Sequence, residues 1–174
     1  MKTQALMKEG KLNMASNTRF ALSVHTLCSI AVHHGRAVPS ERIAKSAATN
    51  PAIIRKLYQT LSEAGFIRST QGPAGGALLQ KDAAEISLND VYRAVDGGDF
   101  FPMHRSVPDK SCFVGRNIQK HLKAATDSAV AALENELRTV SIKDLADALE
   151  QGATETEIAE LVERPFPAGL QRIS

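Results

Sequence analysis

From Asn17 to His34 apolar residues recur at spacings of three and four: Phe20, Ala21, Val24, Leu27, Cys28 and Ala31. That period predicts an amphipathic helix closed by His33, His34 and Gly35. Histidines in a last turn complement the helix dipole. His25 and this pair have no cysteine or carboxylate at ligand spacing beside them, which favours structural roles over a metal site. Ser40 reads as the N-cap of a short second helix with Glu41 in its first turn and Ile43, Ala44 and Ala47 along it. A turn of Ala48, Thr49 and Asn50 follows. Asn50 then caps, and Pro51 opens, a third helix to about Ala64. Ile54, Leu57, Tyr58 and Leu61 share its inner face, while Ala52, Arg55, Lys56 and Gln59 point the other way. Gly65 is placed to end it, and Phe66 to Ser69 reads as a strand. Gln71-Gly72-Pro73-Ala74-Gly75-Gly76 suits a hairpin tip, and Ala77, Leu78 and Leu79 begin the return strand.

In the second half, Ser87 to Asp90 has the form of a capping box, opening a helix with Val91, Ala94 and Val95 that stops at Gly97-Gly98. Asp99 to Ser111, broken by Pro102 and Pro108, reads as a loop. A long helix is predicted from about Val114 to Thr139. Ile118, Leu122, Ala125, Ala129, Ala132, Leu133, Leu137 and Val140 follow near-heptad spacing along it. Its alanines would let a partner helix approach closely; folding back on its own domain is the alternative. Ser141 to Asp144 is a second capping box, for a closing helix to about Glu150.

These elements divide the chain into a patternless extension at 1–13, with Met14 an equally good beginning, and a helix-and-hairpin domain at 14–98. A linker at 99–113 follows, then the long and closing helices at 114–150 and a tail at 151–174. The tail holds one candidate helix, Thr156 to Glu163, before a Pro165-Phe166-Pro167 end expected to be flexible. The fold class is mainly α with a small β-hairpin.

Composition narrows the setting. A chain of 174 residues can bury a sizeable core, and it lacks the ~20-residue apolar run of a membrane span. The first residues lack a secretory apolar segment. Two cysteines, Cys28 and Cys112, without a CxxC pair, suit a reducing cytosol rather than a disulfide framework. A cytoplasmic location is the expectation. Charge is uneven: Met14 to Gln80 carries seven Lys/Arg against two Glu, whereas Val140 to Ser174 carries three basic residues against seven acidic ones. A basic first half suggests a polyanion as partner.

Two short helices joined by a tight turn form the helix-turn-helix plan, in which the second helix enters the major groove of DNA. A β-hairpin directly after it is a wing. A glycine-rich loop might otherwise cradle a nucleotide phosphate, but this one lacks the GxxxxGKS/T and GxGxxG orders and joins strand to strand. Ile43-Ala44, Ile54 to Leu61, Gly65-Phe66-Ile67-Arg68-Ser69 and Gly72-Pro73-Ala74-Gly75-Gly76 together resemble the Rrf family of winged-helix regulators, over roughly Met14 to Leu149. The resemblance implies a homodimeric DNA-binding regulator, usually a repressor, acting on palindromic sites through a winged helix-turn-helix and a long dimerisation helix. Candidate DNA contacts are Ser40, Asn50, Ala52, Arg55, Lys56, Gln59, Arg68, Ser69, Gln71, Gly72 and Gly75. Two positions depart from the family. Gln71 stands where arginine is common before the wing Gly-Pro, and Arg55 stands where the family's iron–sulfur regulator has glutamate, implying a different operator.

Iron–sulfur members cluster three cysteines ahead of the long helix. Here only Cys112 lies there, and Gly115 occupies the place of the fourth ligand, so no iron–sulfur cofactor is expected. A metal site from His104, Asp109 and Cys112 has no recognisable spacing. Cys112 just before a helix start, near Lys110 and Arg116, is a candidate redox- or electrophile-sensing thiol; the competing role is a buried inert cysteine. Cys28, on an apolar face, is assigned to the core. The other function classes are a winged-helix protein-interaction module that has lost DNA, and a thiol enzyme pairing Cys112 with His104 or His121. No catalytic motif supports the latter, and an enzyme is not expected.

Overall fold

The computed structural model describes residues 18–70, 75–95, 97, 100–101, 106 and 108–155. The 1–13 extension, the wing-tip residues Gln71 and Gly72, Pro102, His104 and the 156–163 helix candidate lie outside the described residues. The first described element is α1, helical over residues 18–31. It ends in a turn where His34 and Gly35 take positive φ values of 47° and 81°. The chain then passes Val38, and α2 (Ser40–Ser46) begins. Ala48, at φ 49°, turns it into α3 (Pro51–Glu63). Asn50 caps α3 as its side chain accepts from the Ala52 N–H at 2.8 Å, with Pro51 at the first helical position.

Gly65, at φ 74°, reverses the chain into an antiparallel hairpin of β1 (Ile67–Thr70) and β2 (Gly76–Leu79), pairing Ile67 with Leu79 and Thr70 with Gly76. Val38 adds a one-residue bridge to Ala77, with both N–H···O bonds at 2.9 Å. A single 3₁₀ turn (Ala83–Glu85) leads to α4 (Leu88–Val95), then α5 (Phe113–Arg138) and α6 (Ile142–Gln151). Both capping boxes form: Ser87 and Asp90 exchange bonds at 3.0 and 3.1 Å, and Ser141 and Asp144 do so at 2.8 and 3.1 Å. A second isolated bridge, Ser87 to Ser141, anchors α6 beside the start of α4.

One core joins these pieces. Leu27 and Ile30 of α1, Ile43 of α2, Ile54 and Leu61 of α3, Ile67 of β1, Ile86, Val91 of α4 and Ile142 of α6 are each at most 2% exposed. At roughly 25 cal/mol per Å² of apolar surface, these side chains supply most of the drive to fold. Cys28 lies in this core, where burial pushes its thiol up to about 11. α5 differs: no residue of it is buried. Among the described residues no helix is long and apolar enough to cross a membrane.

Two local expectations are corrected. Ser40 does not cap α2. Pro39, at φ −68° and ψ 148°, holds the N-cap position without a side-chain bond. Proline's ring sets that extended backbone, which moves the helix start one residue back and makes Ser40 helical. His33 does not act as a charged last-turn residue either. It is 6% exposed, and burial keeps its imidazole below the ordinary value near 6.5, as do the Arg42, Arg36 and His34 charges.

Candidate nucleic-acid interface

The inner face of α3 is fixed by Ile54, Leu57, Tyr58 and Leu61, all buried, and Tyr58 also donates its hydroxyl to the Val38 carbonyl at 2.8 Å. With one face pinned, Ala52, Arg55, Lys56 and Gln59 are exposed, as the spacing predicts. A cleft of about 620 Å³ opens between α3, the start of α2 and the hairpin. Ser40, Arg55, Gln59, Ser69 and Gly75 of the predicted residues line it. Asn50, Ala52, Lys56 and Arg68 lie outside that cleft; Asn50 sits at the N-terminal end of α3, and Arg68 is exposed on β1.

Polar neighbours tune these groups. The Arg55 guanidinium donates to Glu41 Oε1 at 2.8 Å across the α2–α3 junction, with both side chains substantially exposed. Ser40, itself buried, donates to the other Glu41 oxygen at 3.1 Å. Gln59 donates to Glu63 at 3.1 Å, one turn along α3.

Three features were not read from the sequence. Glu41 was noted only for its favourable place in a first turn, because its partner lies fourteen residues away. Ile53 is 51% exposed on the first turn of α3, where an apolar side chain would contact a thymine methyl. A cluster of solvent-facing residues on that turn was the available signal. Gly76 is the third: a Cβ there would lie 2.6 Å from the Val38 carbonyl carbon and oxygen, so only glycine lets the hairpin base meet that strand.

The profile of the Rrf2 family, described as iron-dependent transcriptional regulators, matches residues 16–148. The chain belongs to the Rrf2 family. Among its relatives is YwnA of Bacillus subtilis (strain 168), whose name places it with HTH-type transcriptional regulators. It is 39% identical over 134 residues, covering 76% of this chain and 98% of YwnA. The oxidised form of Staphylococcus aureus CymR is 27% identical with a TM-score of 0.56, covering 74% of this chain and 93% of CymR. T. potens IscR, at 20% identity and a TM-score of 0.60 over 79% of this chain and 89% of that one, shares the fold. The mainly helical fold with a two-stranded wing is thus that of the Rrf2 regulators.

The family's description raises the question of iron. Of the chain's two thiols, Cys28 is buried in the core and Cys112 stands exposed at the N-cap of α5. Among the described residues no group of three or more His, Cys, Asp or Glu gathers at metal-binding distance. Any side chain at position 115 would place its Cβ 2.2 Å from the Asp109 carbonyl oxygen. The loop ahead of α5 therefore packs where a ligand side chain would have to stand. Cys112 is exposed rather than buried.

Proposed function

We propose that this Rrf2 protein is a cytoplasmic repressor that binds a palindromic operator as a homodimer. The observation that carries the proposal is the α3–wing cleft, where Arg55, Gln59, Ser69 and Gly75 converge beside exposed Lys56 and Arg68. With α3 in the major groove, its N-terminal turns face the bases. Arg55 suits the paired acceptors of guanine, Gln59 those of adenine, and Ile53 and Ala52 a thymine methyl. Lys56 and Arg68 grip phosphates, and Asn50 and Ser40 flank them.

α5 supplies the dimer. Its 26 residues span about 39 Å. Thr126, Val130, Glu134 and Leu137 turn toward the chain's own body, where Arg93 and Glu134 pair at 2.8 Å. Val114, Ile118, Leu122, Ala125, Ala129, Ala132 and Leu133 are exposed at spacings of mostly three and four, a seam suited to a twofold mate. The exposed Cys112 thiol is the proposed redox input, and the protein works without an iron–sulfur cluster.

A protein-interaction module would have no use for two cations on the outer face of α3. A thiol enzyme would need a base near Cys112, yet His121 stands nine residues along α5, roughly 13 Å away. Gel-shift binding to promoter DNA across a salt series tests the proposal. Affinity should fall steeply with salt, and Lys56→Ala or Arg68→Ala should each lower the log–log slope by about one. Retention that is absent even in dilute salt would overturn it.

A further inference from the structure

α1, α2 and α6 border a half-open groove of about 770 Å³. Phe20, Val24 and Val32 of α1 and Leu145 and Leu149 of α6 make it largely apolar, and Leu149 is 58% exposed there. An apolar surface of this kind marks a place where something docks. The path of the chain supplies a candidate. α6 ends at Gly152, and the next residue, Ala153, is itself part of the groove wall. Two residues on, Glu155 is helical again. The chain therefore turns at the groove and starts a new helix beside it. Residues 156–174 follow, beyond the family match, which ends at residue 148.

On a helix continuing from Glu155, Ile158, Leu161 and Val162 share one face at spacings of three and four. Glu160 and Glu163 fall on the opposite side, and Glu157 at the edge. A helix over 155–163 is about 14 Å long, within the roughly 18 Å that Phe20 to Val32 span on α1. Charge agrees with this occupant. Arg42 gives the α2 wall a cation for the tail's carboxylates, while the acid at the rim, Glu150, already pairs with His34 at 3.1 Å.

We propose that residues 156–163 fold back along α6 as an amphipathic helix and fill this groove, with Ile158, Leu161 and Val162 set against Val24, Leu145 and Leu149. Two antiparallel helices joined by a loop of a few residues are a common unit. Tethering at the groove's own edge gives the tail an effective concentration on the order of millimolar, an advantage over any free competitor. The docked tail braces α2, against which α3 packs. That consequence rests on the regulator function proposed above, whereas the docking does not.

The chain has no tryptophan, so a single one placed in the tail reports on its surroundings. In the full chain, Leu161→Trp should emit to the blue of Glu160→Trp and be quenched by acrylamide several-fold less. Leu149→Glu, at an exposed position where folding is not at risk, should shift the Leu161→Trp emission to the red and raise its quenching to the Glu160→Trp level. The protection should survive Leu122→Glu, which charges the bare seam of α5, because the tail covers its own chain. Equal quenching of the two tryptophans, or protection that Leu149→Glu does not relieve, would overturn the proposal. So would loss of protection in Leu122→Glu, the result expected if the tail docks on a second copy. Gel-shift binding reads the DNA function separately, so either proposal can fail alone.

Discussion

Glu41 and Arg55 meet at 2.8 Å on the surface that the cleft presents, and Arg55 is 59% exposed there. An exposed pair of this kind contributes at most ~1 kcal/mol to stability, so its weight falls on where the guanidinium points. Arg55→Ala should change which sequence is preferred, while Glu41→Gln should strengthen binding to all duplexes and blunt that preference. Competition binding on paired sequences measures both; equal losses everywhere for Arg55→Ala would reduce that residue to a phosphate contact. His33 gives a pH signature. Its folded-state pKa lies below the unfolded value near 6.5, for burial first and for the Arg42, Arg36 and His34 charges beside it. The folded ring thus holds fewer protons than the unfolded one. Stability is complete above about 6.5 and declines as pH falls through that value. Denaturant unfolding at about pH 7.5 and 5.5 should show a smaller loss in His33→Leu than in the wild type. Of these residues only Arg55 was legible from the chain alone, as an outward-facing side chain, since helical spacing fixes which side chains face outward. The Glu41 contact and the burial of His33 depend on tertiary neighbours that no period encodes.

At the scale of elements, periodicity and capping signals located the described α-helices within about three residues, whereas the 3₁₀ turn at Ala83–Glu85 was not read. Asn50-Pro51 and the two Ser-x-x-Asp boxes marked helix starts by local chemistry that holds whatever the tertiary fold. The start of α2 was missed by one residue, where the proline before Ser40 outranked the serine's capping preference. Single-residue bridges such as Val38 to Ala77 left no trace in the pattern, since one pair has no repeat to detect. That bridge nonetheless fixes the root of the wing. Gly76→Ala would drive a Cβ to 2.6 Å from Val38 backbone atoms that cannot swing aside. It should cost roughly 1–3 kcal/mol of stability, as overpacking does. Thermal unfolding checks this, and an unchanged midpoint would mean that the strands separate without penalty.

Across the whole molecule, the heptad-like spacing of α5 was visible in the chain, but both proposed fates of that helix find an observation in the structure. Its Glu134 face is tied to Arg93 of α4, and its Ile118–Leu122 face is bare. Leu122→Glu should therefore leave the fold intact and yield a monomer by sedimentation, with DNA affinity reduced as the second half-site is lost. Two copies of α3 joined through α5 would stand about one DNA turn (~34 Å) apart. Selection of bound sequences from a pool of random duplexes tests this arrangement most directly. The wild-type protein should enrich a twofold-symmetric site with half-sites about one helical turn apart, and Arg55→Ala should enrich a different one. Recovery of sequences without symmetry or enrichment would contradict a dimer that reads DNA through α3 and its wing.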